Sequence, residues 1–240
     1  VANGPPAIKS ENARLNGWTL VDIADRDLGS YVEEAQQVVA ERLDVPAGYS
    51  IAWSGQYEYM VRAQERLSVV VPLTLAIIML LLYINFRNVI EVLIIMGTLP
   101  FAVIGGLWLM YLQDYNMSIA VAVGFIALAG VAVEIGVLML VYLNQSYEKL
   151  RTEADKEGRM LSRADVRQAV MEGAGQRVRP IMMTVFAIVI GLVPIMIGSG
   201  TGSEVMQRIA GPMIGGMIST VLLALLVIPA IYTLWKYPRK

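Results

Sequence analysis

The stretch from Met117 to Leu143, MSIAVAVGFIALAGVAVEIGVLMLVYL, constrains this chain more than any other. A helix needs about 20 apolar residues to cross the hydrocarbon of a bilayer. This run meets that length and holds one ionisable side chain, Glu134. At about 1.5 Å of rise per residue, Glu134 lies well inside the hydrocarbon. A carboxylate there costs on the order of 2.5–3.5 kcal/mol on insertion scales, so an intramembrane acid is by default a functional site. Gly124, Gly130 and Gly136, with Ala127 and Ala132, leave little bulk around the acid. Small residues let another helix approach closely. The expectation is a proton site that loads and unloads; the bland alternative is a structural acid satisfied by a helical neighbour.

Composition agrees with a membrane protein. The 240 residues are 56% hydrophobic and 16% charged, whereas soluble domains carry about a quarter charged residues. The net charge of -1 gives no pointer to nucleic acid. The chain has no Cys and no His, which removes disulfides, thiolate metal sites and the commonest imidazole ligand. It has 14 Met. A thioether suits soft ions such as Cu(I), although most methionines serve as adaptable core filler. The chain opens at Val1 with no signal peptide and reads as the C-terminal part of something larger.

Residues 1–66 are polar and mixed. Trp18 to Ile23 alternates like a strand, Asp27 suits an N-cap, Leu28 to Leu43 has helical spacing, and Tyr49 to Ser54 reads as a second strand. This β-α-β unit is too small to be a stable domain alone. It is expected to close a sheet whose other strands lie elsewhere. A helix then runs from Gln56 through Arg62 and Arg66 into the first of five spans. The spans are 67–84, 92–112, 117–143, 181–198 and 209–235, and the other four carry no charged residue. Proline near their ends is tolerable where neighbouring helices satisfy the freed backbone groups. Between spans three and four, Ser162 with Asp165 forms a capping-box pattern, and Val166, Ala169, Val170 and Gly173 share one face. That predicts an amphipathic helix over about 162–175, lying on the inner membrane surface.

Lys and Arg in short loops set orientation. Arg87 lies between spans one and two. Lys149, Arg151, Lys156, Arg159, Arg163, Arg167, Arg177 and Arg179 lie between spans three and four, and Lys236, Arg239 and Lys240 end the chain. The segments 113–116 and 199–204 have no basic residue. Residues 1–66 are therefore expected outside and the C-terminus in the cytoplasm.

Several separated motifs, in order, resemble a known family. GFIALAGVAVEIGVLMLVYLN, RVRPIMMTV and GSGTGSEVMQRIAGPMIGGM resemble the C-terminal end of heavy-metal efflux pumps of the resistance–nodulation–division (RND) superfamily, in their copper/silver branch. IKSENARLNGWTLVDI resembles the periplasmic porter segment of those pumps, and WSGQYEYMVRAQERL the entry into the eighth of their twelve spans. The resemblance implies a mainly α, polytopic helix bundle of five transmembrane helices, preceded by a partial α+β ferredoxin-like porter segment. It implies a proton antiporter of the inner membrane, not an enzyme, that works as a homotrimer in membrane lipid. A periplasmic adaptor (membrane-fusion) protein and an outer-membrane channel are the implied partners. No resident cofactor is implied; the cargo is Cu(I)/Ag(I) and the coupling ion a proton.

Residue by residue, Glu134 matches the glutamate of the heavy-metal proton relay. Its partner aspartate sits on a family span that these motifs do not cover. The lysine that usually follows Arg-x-Arg-Pro in that branch is here Ile181. Isoleucine resembles the multidrug branch, whose relay uses an arginine and a threonine matching Arg177 and Thr184. Met206 matches a methionine of the copper/silver relay, while Met206, Met213 and Met217 also have ordinary packing spacing. For Arg177 the alternative is a positive-inside anchor, and for Thr184 back-bonding to its own helix. Two other readings stay open: an organic-solute RND exporter, favoured by Ile181, and an inactive membrane fragment. With no His, no Cys and no paired carboxylates in the spans, no catalytic constellation is visible. There is also no phosphate-cradling Gly-rich loop with Lys.

Overall fold

The computed structural model describes residues 9–236 except 12, 24 and 25. The basic residues Arg239 and Lys240 and the start of the chain lie outside the described residues. Two compact units divide between Trp53 and Ser54.

In the first unit, β1 (Lys9–Glu11) and β2 (Arg14–Asn16) form an antiparallel hairpin pairing Lys9 with Asn16. Helix α1 (Leu28–Arg42) starts where expected, because the Asp27 carboxylate accepts the Ser30 amide at 2.9 Å. The expected strands over Trp18–Ile23 and Tyr49–Ser54 do not form. A strand of the ferredoxin-like kind needs a neighbour to take its backbone groups, and within this unit neither segment has one. Their apolar side chains stay open, with Leu20 90% and Tyr49 78% exposed.

The second unit is a helix bundle. Helices α2 (Gln56–Phe86), α3 (Val89–Met96), α4 (Thr98–Leu112), α5 (Ile119–Lys156), α6 (Arg163–Ile197), α7 (Ser203–Leu222) and α8 (Ile228–Lys236) follow in order. A π-helical turn over Leu223–Val227 joins α7 to α8. Among the described residues, five helical stretches are long and apolar enough to cross a membrane: α2, α3 with α4, α5, α6, and α7 with α8. Pro229 explains the π turn, since proline cannot donate to the carbonyl of Leu225 and its ring crowds it.

The centre of the bundle is α4 packed on α7, with α5 laid against both. Glycine makes this approach possible. A Cβ on Gly215 would collide with the carbonyl of Gly105, and one on Gly124 with the backbone of Ile209. Ser219 Oγ donates to the Phe101 carbonyl across the same contact at 2.8 Å. Met217, Leu128, Ala132 and Ile135 fill the space between the three helices.

Two helices run further than the apolar runs suggest. Helix α5 continues past Leu143 to Lys156, and the amphipathic stretch after Ser162 is continuous with the fourth span through Pro180. The capping box forms, with Asp165 N to Ser162 Oγ at 3.2 Å and Ser162 N to Asp165 Oδ2 at 2.8 Å. The face of Val166, Ala169, Val170 and Gly173 is buried, as its pattern requires. It packs against the end of α5 in a helical hairpin. A Cβ on Gly173 would sit 2.9 Å from the Tyr142 carbonyl.

The glycine contact makes a prediction. Gly215→Val should lower the melting temperature of detergent-purified protein, because overpacking costs about 1–3 kcal/mol. Gly175→Ala, where an added Cβ meets nothing within 4 Å, should leave it unchanged or raise it, alanine being the better helix former.

Candidate functional site

The buried face of α5 is set by Gly124, Leu128, Ala132, Ile135, Met139 and Leu143, which fall at helical spacing. Glu134 projects from the other side of the helix and is exposed. Ala127 and Gly130 are exposed there too, and a Cβ on Gly130 would meet nothing within 4 Å. Gly124 and Gly136 instead face the chain's own helices, α7 and the start of α4. The small residues therefore divide: two serve internal packing, and Gly130 with Ala127 flanks the acid on an open face. Among the described residues, no hydrogen bond or ion pair reaches Glu134.

Arg177 is half-buried on α6, with its guanidinium 3.6 Å from the centre of the Tyr142 ring and its Nε without a hydrogen-bond partner. Tyr142 lies two turns from Glu134 along α5, about 12 Å. The structure thus gives Arg177 a cation–π contact at the α5–α6 junction and does not bring it to the acid. Thr184 is exposed, and its Oγ1 donates to the Pro180 carbonyl of its own helix at 3.1 Å. Because α5 and α6 run antiparallel with Arg177 beside Tyr142, Thr184 comes to about the depth of Glu134, two turns further in on both helices. Ile181 is buried in the apolar cluster with Leu140, Leu143 and Val185 and supplies no cation.

Met206 is exposed in the first turn of α7. Met217 is core, and Met213 is partly buried against it. The three methionines therefore separate into two packing residues and one open thioether. No cluster of three or more acidic residues able to hold a metal occurs among the described residues.

A second polar group joins three helices. Glu91, in the first turn of α3, is 4% exposed. Its Oε2 accepts from Asn144 Nδ2 on α5 at 2.7 Å, and Asn144 Oδ1 accepts from Tyr232 Oη on α8 at 2.6 Å. Tyr147 stacks edge-on against Tyr232, and Lys236 lies 4.2 Å from the centre of the Trp235 ring.

Residues 1–236 match the model of the AcrB/AcrD/AcrF family. The chain belongs to this family. It is 47% identical to the cation efflux system protein CusA of Escherichia coli K12 over 100% of its own length and 23% of CusA. It is also 47% identical to the putative cation efflux system protein SilA of Salmonella typhimurium, over 98% of the chain and 22% of SilA. A crystal structure of a heavy metal efflux pump superposes with a TM-score of 0.72 at 35% identity, covering 92% of this chain and 20% of that one. The resemblance to the heavy-metal efflux RND branch therefore holds, and the chain spans about a quarter of the length of these relatives.

Against this family background, Glu91, Asn144 and Tyr232 are what the apolar runs miss. Glu91 stands one residue before the second span as read from hydropathy, and Asn144 one residue after the third. Cutting the spans at their last apolar residue discards the polar residues at their ends. The usable signal was a single acid and a single amide directly abutting apolar runs.

The Arg177–Tyr142 contact is testable by a double-mutant cycle. Arg177→Ala and Tyr142→Ala should each destabilise the purified protein, with a coupling of about 0.5–2 kcal/mol in thermal unfolding. Additive effects would remove the cation–π assignment.

Proposed function

We propose that this chain is the C-terminal membrane part of a proton-driven heavy-metal exporter that moves Cu(I)/Ag(I), with Glu134 as its proton-binding carboxylate. The observation that carries this reading is the position of Glu134. It is the one acid in the middle of an apolar helix, and it is turned out of its own bundle beside Gly130 and Ala127. An acid in hydrocarbon persists only with a partner or with a function. The open, small-residue face leaves room for another helix to bring a second relay group. In this reading Thr184, at a similar depth on α6, joins it. Arg177 serves in this reading as an anchor of the α5–α6 hairpin.

The cargo follows from residue chemistry and relatives together. Met206 offers an uncharged thioether, which suits a soft monovalent cation better than Zn(II). The identity to CusA and SilA, at 47%, exceeds the 38% to the cobalt-zinc-cadmium resistance protein CzcA of Cupriavidus metallidurans. The assembly in this reading is a homotrimer in the inner membrane, joined to a periplasmic adaptor and an outer-membrane channel. Its N-terminal unit is periplasmic and its C-terminus cytoplasmic, because the basic residues gather at the α5–α6 hairpin and near Lys236. A second reading, an organic-solute exporter, draws on the buried Ile181 in place of a relay lysine.

Glu134→Gln in the full-length pump should abolish proton-coupled metal export into proteoliposomes while trimers still assemble on size exclusion. Export at the parent rate would remove the relay role. Met206→Leu, which keeps size and loses the sulfur, should lower resistance to silver and copper salts and leave zinc tolerance unchanged. Unchanged silver and copper resistance would favour the organic-solute reading or an inactive membrane part, and export of an organic cation would separate those two.

A further inference from the structure

The buried group of Glu91, Asn144 and Tyr232 has no place in the relay described above, yet it ties together the helices that carry it. Helix α3 is short; it runs on into α4 through Gly97, which keeps right-handed helical geometry and donates to the Leu93 carbonyl at 2.9 Å, and it is preceded by Arg87 in a left-handed conformation at φ 52°. It is fastened to α5 near its start, where Glu91 takes the Asn144 amide; the start of α4 is fastened to α5 as well, where Thr98 Oγ1 donates to the Ile95 carbonyl at 2.7 Å and approaches the Ala132 carbonyl at 3.4 Å. Glu134 lies between these two attachments on α5, nearly opposite Ala132 and about 80° around the helix from Asn144. Asn144 is ten residues from it, about 15 Å along the axis.

The third member reaches the group because of the π turn. One residue more than an α-helical turn rotates everything after it by about 100° relative to an uninterrupted helix. With that rotation Tyr232 is fully buried and its hydroxyl meets Asn144. Asn144 thus gives its amide hydrogen to a carboxylate and takes a hydroxyl hydrogen from tyrosine, using both ends of one side chain. The other charged or titratable side chains around the group are Tyr147 and Glu148 on α5 and Lys236 on α8.

We propose that Glu91 is a positioning residue for Glu134. Through Asn144 it fixes the depth and rotation of α5, and through Tyr232 it ties α5 to the end of α8. Loading or unloading of Glu134 then acts on a helix held by Glu91 of α3 and by Thr98 at the start of α4, and movement of α5 must carry α3 with it or break the Glu91–Asn144 bond. The proposal rests on the relay reading for its link to transport, but its geometric part is independent of it.

The test uses the full-length pump freed of other reactive thiols and carrying Glu134→Cys as a reporter, labelled with a membrane-permeant maleimide. Adding Glu91→Ala or Asn144→Ala should change the labelling rate by about threefold or more, the scale of coupling between packed elements. In pumps that keep Glu134, the same two changes should lower metal export by a similar factor, with Tyr232→Phe intermediate. Glu91→Gln should keep both labelling and export near the parent values, since its carbonyl still accepts the Asn144 amide. Parent-like labelling in Glu91→Ala and Asn144→Ala would overturn the proposal, and so would Glu91→Gln behaving like Glu91→Ala. Should Glu91→Ala fail to assemble, Asn144→Ala and Tyr232→Phe decide the matter by the same labelling. Changed labelling in a pump whose Glu134→Gln form still exports normally would uphold the positioning and remove only the relay reading.

Discussion

Where α4 crosses α7, Gly105 and Gly215 meet almost backbone to backbone, and the remaining helices take their places from that contact. In hydrocarbon there is no hydrophobic drive to bring helices together, because lipid chains are as apolar as leucine. Close packing and a few interhelical hydrogen bonds must supply the attraction. Gly105, Gly215 and Gly216 remove the side chains that would hold the axes apart, and Ser219 adds a bond to the Phe101 carbonyl. With α4 and α7 so near, α5 can rest on both, and Gly124 lets it come close to the Ile209 backbone.

The rotation of α5 decides which acid is solvated by protein and which is not. Glu134 and Asn144 share one helix. Turning the Leu128–Ile135–Leu143 face inward puts Asn144 within reach of α3 and α8 and leaves Glu134 pointing away from the bundle. Glu91 is buried with a strong donor; Glu134 is open with none among the described residues. A buried carboxylate with a fixed hydrogen bond suits structure. An unpartnered one beside small residues suits a site that exchanges something with another part of the molecule. The difference between the two acids comes from environment and not from residue type.

The N-terminal unit shows the reverse case, in which local pattern was present but its partner was not. Trp18–Ile23 and Tyr49–Ser54 have strand-like alternation, yet both remain without sheet pairing, while α1 forms with its Asp27 cap. A helix closes its hydrogen bonds within one segment; a strand requires a second one. Helix propensity and capping can therefore be realised by a short piece of chain, and a sheet cannot.

Length and hydropathy alone determined the five spans, and the motifs around Glu134, Arg177 and Met206 determined the family, because bilayer thickness and helix rise leave few alternatives for long apolar runs. The pattern of Val166, Ala169, Val170 and Gly173 likewise identified a buried face, though not what covers it. The covering partner, the continuity of α6 through Pro180, the stacking of Arg177 on Tyr142, and the meeting of Glu91, Asn144 and Tyr232 were decided by tertiary structure. Each depends on the rotation and depth of one helix relative to another. Those are set by small residues and a π turn far away in sequence, so no local pattern could carry them.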